Sequence, residues 1–365
     1  MNGLGLFAVL LAAQVFDEPT LTVYRLPNPF GESSRLQYHV YEDRLEPPAR
    51  SPKRFGENGV QWEFDWMIPG YAQLPGENLG RMRFRLFSQE RKANGDLAPA
   101  VMRMLLRMWE YNYFRLGLDH KAVYNDSIVD LYLCWGGIAG GEQLFDDEIV
   151  NGRSRKLNTI YIYDLASFAS PIEQAREIAH EYGHAALPAI GGFSAPESWA
   201  NGYLGEKLFL LMFLEGMDKH FIPADVMGVS KADLSAWLAA NAYPLADRVA
   251  ANGPDRTRLA QTGPDAMDAY IGLVLHFREL FPDRVFSRSL MLVGSTQAKD
   301  VPAAIDLAMQ EHPSLRLSIP ARHKGKPIWI PLGGGSVSGA TVLKRSAGWA
   351  LVRPTGTVTV VPKSS

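Results

Sequence analysis

The run His180-Glu181-Tyr182-Gly183-His184 groups residue types that can do chemistry together. On an α-helix, positions four apart differ by about 40° in azimuth, so both imidazoles leave one face at a separation that grips a single ion. His180 and His184 are therefore candidate zinc ligands. Glu181 lies about 100° round from His180, where its carboxylate reaches a metal-bound water without filling the coordination sphere. Zinc lowers the pKa of such a water to about 7, and Glu181 is the candidate general base that takes its proton and later passes it to the leaving group.

A catalytic zinc needs a third protein ligand and one open position. Cys134 is the sole cysteine, which excludes a multi-thiolate site and an internal disulfide. The next histidine after the pentad is His220, and no Gly-x-x-His continuation follows, so the third ligand is expected to be a carboxylate. Pro188, Gly191 and Gly192 end the first helix, and the chain from there is long enough to return to the ion. Ser194-Ala195-Pro196-Glu197 then reads as the opening of a second helix, with Glu197 as the third ligand. Glu197 also fits a capping box on Ser194, and Glu206 is its rival as ligand. Nine residues further along the same helix, Glu206 lies about 180° round and about 13.5 Å away, so the two cannot face one ion. Asn201, one turn beyond Glu197, is expected to accept a hydrogen bond from the non-ligating nitrogen of His180.

His180-Glu181-x-x-His184 followed by Glu197-x-x-x-Asn201 resembles the zinc motif of the gluzincin metallopeptidases, the group that includes the thermolysin-like and aminopeptidase-like enzymes. The resemblance covers Leu97 to Gln310 in element order. It implies a zincin-like catalytic domain, one zinc per chain, a peptide or protein substrate, and a strand at Thr159 to Tyr163 bordering the substrate cleft. Thr159, Tyr161 and Tyr163 are the substrate-edge residues on that reading. It also implies a downstream hydroxyl or imidazole that donates to the developing oxyanion. Tyr270, in Asp268-Ala269-Tyr270-Ile271-Gly272, is that candidate, with His276, Tyr203 and His323 as lesser ones. The sequence departs from the thermolysin pattern in carrying Asn201 where an aspartate is usual. A Gly-Ala-Met-Glu-Asn type signature, which anchors a substrate amino terminus, is absent.

The elements that must position these residues are legible as patterns. The segment from Thr20 to Glu90 alternates with period two between Pro and Gly punctuation, giving expected strands at Thr20–Leu26, Leu36–Tyr41, Val60–Met67 and Arg81–Leu86. The arginines of the last are read as its solvent face. A helix is expected over Leu97–Leu116, a buried strand over Ile128–Trp135, a mobile glycine-rich loop at 136–141 with a solvated acidic cluster at 146–148, and a strand over Thr159–Tyr163. Ser170-Pro171-Ile172-Glu173 reads as a capping box opening the metal helix. The chain is then mainly helical to about Gln310 and returns to short strands from Pro327 to Val361.

The fold class is thus α+β: a small sheet plus helices, with an N-terminal β region at 14–95, a catalytic domain at 96–315 and a small C-terminal β appendage at 316–365. Residues 1–13 form an uncharged apolar run ending in small residues, read as a signal peptide with export of the mature chain. No stretch is long enough for a stable membrane span, which needs about 20 apolar residues. Lys and Arg number 37 against 39 Asp and Glu, so no basic excess points to nucleic acid. The function expected is a zinc peptidase. The alternatives are a catalytically silent zincin-like binding protein and a zinc hydrolase of a non-peptide amide or ester.

Overall fold

The computed structural model describes residues 21–26, 35–41, 64, 66–89, 97–120, 128–150, 152–194, 197–219 and 225–363. The expected leader and most of the strand expected over Val60–Met67 lie outside the described residues. Strands β1 (Leu21–Leu26), β2 (Arg35–Tyr41), β3 (Trp66–Gln73) and β4 (Arg81–Ser88) pair antiparallel in turn. After helix α1 (Leu97–Tyr111) come β5 (Val129–Cys134), β6 (Gly140–Val150) and β7 (Arg153–Tyr163). β5 joins β4 in parallel, so the N-terminal strands and those leading to the metal helix share one sheet, ordered β1-β2-β3-β4-β5-β7-β6.

β5 is buried along its whole length because it is central and parallel, with both faces covered. Helices cover one face. On the other lie Phe64, Phe87, Tyr132, Cys134 and Tyr161.

The sheet departs from the sequence expectations at three places. The Pro69-Gly70 pair lies inside β3 and does not end a strand: a Cβ at Gly70 would come 2.5 Å from Met102 Sδ, so glycine lets α1 press onto the sheet. The β4 arginines do not form one solvent face: Arg81 is exposed, but the other two are covered. Arg83 is buried over the Trp109 ring at 4.7 Å, and Arg85 pairs with Asp130 at 2.6 Å. Residues 136–139 form the expected loop, but Gly140, Gly141 and the acidic run at 146–148 belong to β6, whose register sets Asp147 opposite Lys156 and Glu148 opposite Arg155.

Helix α2 (Pro171–Ala186) starts with Pro171 at its first position. Ser170 makes no side-chain cap, and Glu173 instead accepts from Arg176 at 2.8 Å, so the expected capping box does not form. Helix α3 (Asn201–Asp218) is buried nearly all round, as a helix at the centre of a core must be. A small hairpin, β8 (Asp225–Val226) and β9 (Val229–Ser230), leads into α4 (Lys231–Asn241), α5 (Tyr243–Asn252), α6 (Arg256–Leu259), α7 (Pro264–Leu280), α8 (Asp283–Met291) and α9 (Val301–Gln310). The C-terminal sheet follows as β10 (Leu315–Arg316), β11 (Ile328–Pro331), β12 (Ser336–Ser346) and β13 (Trp349–Val361), with β13 pairing to the other three. The architecture is α+β, with the expected N-terminal β region and C-terminal β appendage. Among the described residues no helix is long and apolar enough to cross a membrane.

α2 and α3 cross at two glycines. A Cβ on Gly183 would stand 2.4 Å from the Asn201 carbonyl oxygen and 2.9 Å from Gly205 Cα, and one on Gly205 would meet Gly183 Cα at 2.6 Å. Only hydrogen at both positions lets the backbones approach this closely, and this approach carries the start of α3 up to the histidines of α2.

Candidate metal centre

His180 and His184 project from one face of α2 with ring centroids 5.0 Å apart. Glu197 reaches both: its Oε1 lies 2.7 Å from His180 Nε2, and its Oε2 lies 3.3 Å from His184 Nε2. One ligand atom from each of the three residues falls within 4.8 Å of the others. Ligands around a tetrahedral zinc at about 2.0–2.2 Å stand about 3.3 Å apart, which the Glu197–His184 contact meets, while the 2.7 Å hydrogen bond to His180 would open by about 0.6 Å to admit that ion.

Gly202 supplies a second test of the fit. A Cβ at this position would lie 2.3 Å from His184 Nε2 and 2.5 Å from His180 Nε2, close to metal–ligand distance from both nitrogens. Glycine keeps free the volume that an ion held by these two rings requires. The residues present therefore fit a zinc ion.

Glu197 is not on a helix. It sits in the segment ahead of α3, which starts only at Asn201. Outside contacts hold this segment: Gly191 N–H donates to Thr296 O at 2.8 Å, Ser194 N–H to Thr262 O at 2.8 Å, and Ala200 N–H to Ile190 O at 2.9 Å. The Ser194 amide is thus used by Thr262, which removes the capping-box reading of Glu197.

The groups behind the rings are exchanged relative to expectation. Asn201 Oδ1 accepts from His184 Nδ1 at 2.9 Å, not from His180, because Asn201 is the first residue of α3 and lies over the end of α2. Its Nδ2 faces the carbonyl oxygens of Gly183, His184 and Leu187 at 3.3–3.4 Å. His180 Nδ1 faces Glu206 Oε2 at 3.3 Å. Sequence reasoning weighed Glu206 only as a ligand. Arg176, one turn before His180 on α2, was the available signal for a carboxylate on that side.

Electrostatics follow from this placement. Burial alone would lower the His180 pKa, but hydrogen bonds to Glu197 and Glu206 outweigh it and push the ring up to about 10. Burial would raise Glu197, yet its bonds to His180 and His184 hold it down to about 2. Two anions thus draw a cation to the nitrogens, a demand that a metal ion satisfies as a proton does. Glu181 differs. It is 4% exposed, and burial pushes its carboxyl up to about 8 against the opposing pull of His180. Its Oε2 has no hydrogen-bond partner among the described residues.

Glu181, His184 and Glu197 open into one cleft of about 750 Å³, whose far wall is the edge strand β6 from Gly141 to Phe145. A Cβ at Gly141 would press on Glu181 Cγ at 2.6 Å, which is why this strand has glycine there. The expected substrate edge is corrected accordingly. Thr159, Tyr161 and Tyr163 lie on β7, an internal strand paired on one side with β5 and on the other with β6. Tyr161 and Tyr163 associate with the aromatic cluster on the opposite face of the sheet from Ile160 and Ile162.

Tyr270 is fully buried on α7, packed on Phe193 with centroids 6.1 Å apart, and is not among the cleft-lining residues. Tyr203 packs edge-on against His180 at 5.0 Å. His276 and His323 belong to the seat of the C-terminal sheet, where His276 Nε2–H donates to Trp329 O at 2.7 Å.

Comparison with protein-family models and with curated proteins finds no match for this chain.

Proposed function

We propose that the protein is a zinc-dependent peptidase. The observation that carries this reading is the convergence of His180, His184 and Glu197 within 4.8 Å, with the buried carboxylate of Glu181 lining the same cleft. Zinc held by these three residues would act as a Lewis acid toward a water and toward the scissile carbonyl. Glu181 takes the proton of the attacking water as its oxygen bonds to the carbonyl carbon. It then delivers that proton to the amine nitrogen as the C–N bond breaks. Burial disfavours the charged carboxylate, which strengthens the pull of Glu181 on the proton of the attacking water. An extended substrate pairs with the outer edge of β6, since the inner edge is occupied by β7.

The test uses the purified full-length chain. Elemental analysis is expected to give one zinc per chain, and hydrolysis of a fluorogenic peptide library is expected to be lost with a chelator and restored by zinc. Glu181→Gln should retain the zinc and lose about 10³-fold or more in turnover, within the range of a removed general base. A chain without stoichiometric metal, or hydrolysis indifferent to chelation, sinks the reading.

A further inference from the structure

Glu206 is 3% exposed, and both of its oxygens are engaged. Oε1 accepts from the Lys207 ammonium at 2.6 Å; Oε2 accepts from Arg176 Nη1 at 3.0 Å and faces His180 Nδ1 at 3.3 Å. Lys207 is itself buried, its ammonium 5.2 Å from the Tyr203 ring and 5.8 Å from the Trp237 ring. Donors from both α2 and α3 therefore converge on a single carboxylate at the back of the site.

An ion-pair clasp between the two helices accounts for Arg176 and Lys207 but not for the ring. A carboxylate flanked by two cations can only accept, so the nitrogen facing it bears hydrogen and keeps it when the nitrogen facing Glu197 gives up its proton for a metal. That nitrogen is Nδ1, and the opposite one, Nε2, is turned to Glu197. Resting on the zinc reading above, we infer that Glu206 is the positioning residue of His180: it holds the ring by Nδ1–H and so fixes Nε2 as the nitrogen offered to the metal. Lys207 and Arg176 saturate the remaining acceptor sites and keep the carboxylate from swinging round to become a ligand. The part an aspartate one turn after the third ligand would play is taken here by a glutamate nine residues after it, while Asn201 serves His184.

Two measurements test this on the full-length chain. In the zinc-loaded protein labelled with ¹⁵N at histidine, His180 should show its proton on Nδ1 and its metal on Nε2. Zinc affinity, measured by competition with a chromophoric chelator, should fall about 10–100-fold in Glu206→Gln, the range for a lost partner behind a ligand. Glu206→Asp should lose less, because the charge stays while the reach shortens. A parent that binds no zinc sinks the metal reading and this inference with it. A parent that binds zinc, with the proton on Nε2 of His180 or with both variants as tight as the parent, overturns the positioning role alone. If neither variant folds, the proton position in the parent decides.

Discussion

Among the described residues two pairs of neighbouring histidines, His180 with His184 and His276 with His323, are opposite in kind. His180 and His184 lie 5.0 Å apart, and His276 and His323 lie 6.4 Å apart, so ring separation alone hardly distinguishes them. The first pair turns both Nε2 atoms to one carboxylate, has a polar group behind each Nδ1, and faces a glycine that leaves room for an ion. In the second pair, His276 spends Nε2–H on the Trp329 carbonyl and stacks on Trp349 with centroids 6.3 Å apart. His323 leans on Asp247 at 3.1 Å. Carboxylates drive His180 up to about 10 in spite of its burial, whereas burial, only partly opposed by the Trp329 carbonyl, drives His276 down to about 4. A shared anion and kept space are what fit the first pair for an ion, and the second pair, which lacks them, is packing.

The kept space gives the largest effect by which this contrast can be broken. Gly202→Ala adds one methyl carbon at 2.3 Å and 2.5 Å from the two Nε2 atoms. Zinc affinity is expected to fall by about 100-fold or more, at or beyond the upper end for loss of an outer partner. The methyl overlaps the same two rings in the metal-free protein, which offsets the about 1 kcal/mol that alanine gains over glycine inside a helix, so thermal stability should fall modestly while zinc affinity falls far more. Equilibrium dialysis reads the first quantity and calorimetry the second. An alanine variant that keeps parental affinity would show that the ion does not lie between the rings and Gly202.

What was legible in the sequence had local causes. The spacing within His180-Glu181-x-x-His184 places side chains on one turn of one helix, and α2 delivers them as that geometry requires. Glu197 could be chosen because a short segment bounded by glycines must return to α2. The partners of the rings were not legible, because the crossing of α2 and α3 at Gly183 and Gly205 decides which ring Asn201 meets, and that crossing is a tertiary fact. β6 was missed for a related reason. Its glycines read as a loop, yet Gly141 is glycine because Glu181 presses against it from another element. Tyr270 had a plausible neighbourhood in sequence but lies in the core of α7, and a motif of two residues carries no information about burial.

The second histidine pair can be tested through pH. His276 Nδ1 has no hydrogen-bond partner among the described residues, so protonation would bury a charge without an acceptor. Its pKa is lowered from 6.5 to about 4 by burial first, with the Trp329 carbonyl opposing. Between those values the unfolded chain binds the proton and the folded chain does not. Stability from this group is complete above about pH 6.5 and declines as pH falls toward 4, with a ceiling of about 3 kcal/mol. His276→Gln can still donate to the carbonyl but cannot titrate. Urea unfolding of parent and variant at several pH values should show a shallower acid loss in the variant. Parallel curves would mean that His276 is not the group that senses acid.

The smallest expected effect concerns why Asn201 is not an aspartate. Its Oδ1 serves His184, but its Nδ2 faces three carbonyl oxygens at the C-terminal end of α2, where the helix dipole is negative. Asn201→Asp keeps the acceptor for His184 and replaces the donor with a second anionic oxygen, 2% exposed in the parent and set against those carbonyls. The metal-free protein should lose about 1–2 kcal/mol, the cost of a buried polar group left unmatched. Zinc binding should not weaken, because His184 would gain a charged partner in place of a neutral one. Denaturant midpoints of the metal-free pair, taken beside their zinc affinities, separate the two jobs of this side chain. An aspartate variant as stable as the parent would leave the carbonyl contacts without weight, and the amide would then matter only to His184.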